Sequence, residues 1–163
     1  MADDKNKELL PVSEQSSVLE AVYKLIKECP FIEKENVKFD FLDIEENSIS
    51  VLSTPGAFII SKDILGGFTG SLPFILGHKG RQSSDNRKIK TVDLLNNIGK
   101  WLGKEKVTID DREYVLKEYP LLSDNRKITR IEQQTVPYIS DIDEKSNITY
   151  ICTLKVTYCK EVE

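Results

Sequence analysis

Apolar residues recur at helical spacing early in the chain. Val18, Val22, Leu25 and Cys29 fall on one face, and Leu19 and Ile26 widen the stripe. The pattern predicts an amphipathic helix starting near Ser13 or Ser17, where Ser17 and Glu20 fit a capping box. Pro30 should end it, because the residue before a proline is pushed out of the α region. A second helical stripe runs through Ile89, Val92, Leu95, Ile98 and Leu102, flanked by Leu94 and Trp101. Asp85 or Asn86 is placed to cap its start, and Gly103 to stop it.

Alternation marks the strands. Val37, Phe39 and Phe41 alternate with Lys38 and Asp40, and Ile49 with Val51 suggests another extended piece before the turn Thr54-Pro55-Gly56. The runs 57–64 and 68–78 read as a hairpin across Gly66-Gly67, with Pro73 at an edge or bulge. Short strands or turns are expected around Val107–Ile109 and Tyr114–Leu116, then an extended run from Ile128 to Val136 and a turn from Pro137 to Asn147. The closing run is the clearest. Ile148, Tyr150, Cys152, Leu154, Val156 and Tyr158 point one way; Thr149, Thr153, Lys155 and Thr157 point the other.

The order is helix, strands, helix, strands, joined by tight turns. That predicts an α+β fold: a mainly antiparallel β-sheet with two amphipathic helices packed on it. Residues 1–14 are expected to be a flexible N-terminal tail, and residues 15–163 one domain. No internal repeat stands out in the sequence.

Composition narrows the function. The formal net charge is −4, and the one locally basic stretch, Lys79, Arg81, Arg87, Lys88 and Lys90, lacks interleaved aromatics, so no basic surface for nucleic acid is expected. The charged start Met1–Lys7 lacks a following apolar stretch, so no signal peptide is expected there, and no run is long and apolar enough for a membrane span. Cys29, Cys152 and Cys159 are too scattered for a disulfide framework, which fits a reduced, cytoplasmic assembly environment.

Catalytic apparatus is not apparent. His78 is the one histidine, and nothing near it in sequence marks a nucleophile. Gly66-Gly67-Phe68-Thr69-Gly70 matches neither phosphate-loop spacing, and a hairpin turn accounts for its glycines. Asp110-Asp111 and Asp141-Ile142-Asp143-Glu144 read as solvated turns rather than cation sites. No catalytic residue, cofactor or metal site is therefore expected. Residues 79–87 have almost no apolar content and read as an exposed, mobile loop. Lys79, Arg81, Gln82, Ser83, Ser84, Asp85 and Arg87 are its candidate subunit-contact residues, alongside the edge of the hairpin 58–78 and the N-terminal tail. Trp101 and Tyr138 suit either core or interface.

Several segments follow one another in a familiar order: the helix from Val18, the hairpin ending Leu72-Pro73-Phe74-Ile75-Leu76, and the helix Val92–Leu102. Tyr119-Pro120-Leu121-Leu122-Ser123-Asp124-Asn125-Arg126, Ile131-Glu132, Val136-Pro137-Tyr138 and the run Tyr150–Tyr158 complete it. Over roughly residues 15–160 the chain resembles the phage tail terminators, the small Gram-positive phage and prophage proteins often called minor capsid protein. These are packing and turn patterns, not catalytic signatures. The resemblance implies a non-enzymatic, typically hexameric ring that caps the head-proximal end of a tail tube, stops its polymerisation and presents the head-joining surface. Its implied partners are further copies of itself, the tail tube protein, and the sheath or head connector protein. DNA is only passing cargo and no membrane is involved. The implied location is a virion or tail-like particle assembled in the bacterial host cytoplasm. Alternatives are another neck or head–tail connector ring protein, a cytoplasmic non-enzymatic binding module, and an enzyme with an unfamiliar site.

Overall fold

The longest alternating run becomes one of two central strands. In the computed structural model, which describes residues 7–33, 37–39, 48–81 and 84–162, β10 (Asn147–Lys160) pairs antiparallel with β5 (Phe68–Arg81) along the full length of both. β5 is flanked on its other side by β4 (Phe58–Lys62) against its first residues and by β3 (Ser48–Ser53) against its later ones. β10 is flanked in the same way by β9 (Tyr138–Ile142) and then β8 (Arg126–Gln133). β1 (Glu8–Leu9) borders β4, and β2 (Val37–Phe39) pairs in parallel with β3. β6 (Val107–Ile109) and β7 (Arg112–Tyr114) form a separate hairpin. Helices α1 (Val12–Lys27) and α2 (Asp85–Leu102) complete the α+β fold.

Both helices cover one face of the sheet. Val18, Val22 and Ile26 of α1 and Leu95, Ile98 and Leu102 of α2 are fully buried in one cluster with Phe74, Leu76, Cys152, Leu154, Val156 and Tyr158. Burying each such side chain contributes about 1.5–3 kcal/mol, which outweighs the modest helix propensity of the β-branched residues in the stripe. The opposite face carries the half-buried Thr153, Lys155 and Thr157.

The sheet contains an internal repeat that the sequence conceals. Ser53↔Phe74, Leu52↔Ile75, Val51↔Leu76 and Ser50↔Gly77 recur, with 80 added to each number, as Gln133↔Leu154, Glu132↔Lys155, Ile131↔Val156 and Arg130↔Thr157. Phe58↔Ser71, Ile59↔Gly70, Ser61↔Thr69 and Lys62↔Phe68 recur likewise as Tyr138↔Ile151, Ile139↔Tyr150, Asp141↔Thr149 and Ile142↔Ile148. The register shift beside Ile60 therefore recurs beside Ser140. The connecting turns also match. Asp63 and Asp143 each accept from two backbone N–H groups through Oδ1, those of Leu65 and Gly67 in one turn and of Lys145 and Asn147 in the other. Gly66 and Ser146 take the left-handed conformation at equivalent places. β5 and β10 meet symmetrically about Phe74↔Leu154, so the halves are related by a local two-fold. Each half reads helix, strand, hairpin.

Several sequence expectations need correction. The N-terminal segment from Glu8 onward is not a free tail: β1 pairs with β4, Leu10 is buried, and α1 starts at Val12 behind Pro11. Ser17 and Glu20 accordingly lie inside the helix. The second helix is capped by Ser84, whose Oγ accepts from Arg87 N–H, rather than by Asp85 or Asn86. Ile89 is 57% exposed, because the first turns of α2 precede its buried residues. Pro137–Asn147 is not all turn, since it includes β9. Pro73 sits in a central strand, tolerated because it falls between the stretches of β5 bonded to β4 and to β3. At the equivalent Thr153 the backbone N–H turns outward to the Thr135 hydroxyl, so the missing proline donor leaves no ladder bond unmade. Phe41 lies outside the described residues.

One buried charge cluster ties α1 to the sheet. Glu14 accepts from Arg126 Nε at 2.9 Å and Tyr158 Oη at 3.0 Å, and its other oxygen meets Arg126 Nη2 and Lys160 Nζ. Arg126 holds the Glu14 carboxyl at about 2, against an ordinary 4.5, with Lys160 and Tyr158 adding to the effect. The folded state thus binds fewer protons than the unfolded chain in this interval. Glu14's contribution is complete above about pH 4.5 and is lost as the pH falls through about 2. Glu14→Gln removes the buried carboxylate from Arg126, which then keeps Ser123 and the exposed Asp124 at 3.5 Å, and should lower stability at neutral pH by about 3 kcal/mol. It should also flatten the acid-side loss. Urea unfolding of both proteins at neutral pH and between those two acid values checks both effects.

Candidate assembly surfaces

The predicted loop is mostly regular structure. Lys79 and Arg81 belong to β5, and the half-buried Lys79 ammonium lies 3.2 Å from Asp143. Ser84 caps α2, and Asp85 and Arg87 form its first turn. Gln82 and Ser83 lie outside the described residues. Lys79 meets the β9–β10 turn and Ser84 meets Arg87, so the described residues of 79–87 form a strand end and a helix start rather than a loop. The polar sequence misled because a strand end and a helix start both carry polar residues.

The two undecided aromatics separate. Trp101 is 4% exposed and belongs to the core. Tyr138 is 47% exposed on β9, where all five residues are exposed. Ile139 and Ile142 share that strand, and Val136 precedes it, all exposed. β9 has no strand on its outer side among the described residues, and an edge strand with this much apolar surface is a template for pairing with another chain. A second apolar corner lies across the sheet: Leu9 on β1, Ile60 on β4, Ile64 and Leu65 in the β4–β5 turn, and Val12 beginning α1 are all exposed. β4 flanks β5 near Phe68, whereas β9 flanks β10 near Ile148, opposite the far end of β5. The two corners are thus diagonally opposed. The sequence names the hairpin edge 58–78, the N-terminal segment and Tyr138 as candidate contacts, but not Ile139 and Ile142, which fall in its expected turn.

Chemically reactive groups are not gathered. His78 is half-buried opposite Tyr150 and Ile49, and burial pushes its pKa below the ordinary value, so it is neutral at pH 7. Its Nδ1 makes no hydrogen bond among the described residues. Burial pushes the thiols of Cys29 and Cys152 up to about 12, leaving them protonated. Asp110 and Asp111 both have left-handed φ and form the β6–β7 turn. Asp143 is held at about 2 chiefly by the Asn147 backbone N–H, then by the Asn147 side chain, Lys79 and the Lys145 N–H. These donors occupy both of its oxygens. No cluster among the described residues could hold a metal ion.

Two open grooves, of about 260 and 550 Å³, flank α1. The first runs against Pro120–Ser123 and Arg126, the second against Phe39, Ser53, Thr54 and Leu72. His78 lines neither. No helix among the described residues is long and apolar enough to cross a membrane.

No protein-family model matches the chain, and no curated protein matches it either. The functional reading therefore rests on the two apolar corners and on the layout of the elements.

Trp101 and Ile139 should behave oppositely on substitution. Trp101→Ala leaves a core cavity and is expected to cost about 3–5 kcal/mol. Ile139→Lys, at an exposed position, should change the stability of the chain by no more than about 0.5 kcal/mol. Urea unfolding of each variant checks the pair.

Proposed function

We propose that this chain is a non-enzymatic ring subunit of a phage tail or tail-like particle, acting as the tail terminator. The observation that carries the reading is the pair of dissimilar, diagonally opposed apolar corners on one sheet. A ring of identical subunits needs two different surfaces that meet head to tail and close by rotation. A symmetric dimer needs only one. The element order, helix then hairpin in each half, supports the likeness to tail terminators noted in the sequence.

In this role a ring, typically hexameric, seats on the head-proximal end of the tail tube. It covers the surface onto which the next tube ring would add, so elongation stops, and its far side offers the joining surface to the head connector. The partners are further copies of the chain, the tube protein, and the sheath or connector protein. DNA passes through without being recognised, consistent with the mild negative charge. The particle assembles in the host cytoplasm and the chain stays in the virion or tail-like particle.

A second reading is favoured by the bare β9 edge, which suits a module that takes an extended peptide as an added strand. Deleting the gene from the source phage or prophage and imaging the particles separates the readings. Overlong or ragged tubes, corrected by supplying the protein, are the expected outcome. Tubes of normal length that fail to join heads would move the chain to the neck. Wholly normal particles would overturn the structural role and favour the peptide-binding module.

A further inference from the structure

The two halves of the sheet differ at one place that matters for assembly. On β4, residues Phe58 and Ile59 are covered by β1, through Leu9↔Phe58 and Glu8↔Ile59. Their equivalents on β9, Tyr138 and Ile139, have no strand on their outer side among the described residues. In the second half the chain before the equivalent strands begins with α2, and no strand among the described residues precedes it to cover β9. The local two-fold is therefore broken in one specific way: one corner has an extra strand and the other lacks it. A symmetric edge would favour pairing with its own copy across a two-fold. An extra strand at one corner and a missing one at the other favour a head-to-tail join.

Strand direction fits that join. β1 is antiparallel to β4, β4 to β5, β5 to β10 and β10 to β9, so β1, β5 and β9 all run the same way. A head-to-tail join that keeps this sense sets β9 of one copy and β1 of the next in parallel, the arrangement β2 and β3 already make within the chain. The contact windows also match in length. β1 is two residues long, and Pro137 and the irregularity beside Ser140 confine the regular part of the β9 edge to Tyr138 and Ile139. So short a ladder is weak alone. The apolar neighbours Val12 and Ile60 at one corner and Val136 and Ile142 at the other supply further surface to bury.

We propose that the bare edge of β9 takes the outer edge of β1 from a second copy, in parallel, setting Leu9 against Tyr138 and Ile139. This rests on the ring reading and names the surfaces that close the ring.

Adjacent strands lie about 4.8 Å apart, within the roughly 4.4–6.8 Å that a disulfide bridges between Cα atoms. Leu9→Cys and Ile139→Cys each replace an exposed side chain, so both variants should fold, and circular dichroism verifies it. Purified separately and then mixed under mild oxidation, they should give a covalent dimer that neither yields alone, with the natural chain as control for Cys159. The double variant should give a covalent ladder ending at the ring number. A disulfide within the Ile139→Cys sample alone would mean two-fold β9 pairing and would overturn the proposal. Absence of any cross-link, whether native mass spectrometry finds assembled or monomeric chains, would overturn it too. Cross-linking together with normal particles on gene deletion would keep the interface and remove the terminator role. Overlong tubes on deletion without cross-linking would do the reverse.

Discussion

The pairing of β5 with β10 over the whole length of both strands is the constraint on which the rest of the fold depends. It spans the junction between the halves, so neither helix–strand–hairpin unit has a complete sheet without the other. The paired strands place Phe74, Leu76, Leu154 and Val156 side by side, and both helices bury their apolar stripes on that surface. A register slip of one residue would turn these side chains to the opposite face, so the core itself locks the register. The two Asp-headed turns then hold the hairpins that flank the central pair.

That two-fold arrangement is also what makes the departures from it informative. Glu14 and its partners Arg126, Tyr158 and Lys160 bind α1 to one end of the sheet, next to the strand that covers β4. The other half has α2 pinned differently. Gln133 donates to Asn96, and Tyr119 donates to the Leu102 carbonyl while accepting from Ile131 N–H. One corner thus ends in a docked strand and the other in an open edge. The function proposed for the chain grows out of that inequality, since unlike ends are what a closed head-to-tail assembly requires.

Much of the fold was legible because period and burial agree. The alternation from Ile148 to Tyr158 and the stripes of Val18–Ile26 and Leu95–Leu102 are each written in the sequence at the spacing the structure uses. The repeat was not legible. Across 58–71 and 138–151 only Ile59/Ile139, Asp63/Asp143 and Thr69/Thr149 are identical, because backbone pairing fixes the register and constrains few side chains. The candidate surfaces were legible only in outline: the hairpin edge, the N-terminal segment and Tyr138 were read as contacts, but Ile139 and Ile142 were not. Tyr138, Ile139 and Ile142 lie among turn-forming neighbours, and Leu9 follows a charged start. Their exposure depends on which strand covers which edge, a tertiary fact with no local signature. The polarity of residues 79–87 pointed to a loop, yet it reflects the salt-bridged end of β5 and the cap of α2.

The most direct test of the account is a cryo-electron microscopy reconstruction of the head-proximal tail end in particles carrying this chain. The account predicts a closed ring of copies seated on the last tube ring, with β9 of each copy against β1 of the next. A tube end without this chain, or a ring whose copies meet through other surfaces and leave Tyr138 and Ile139 in solvent, would contradict it.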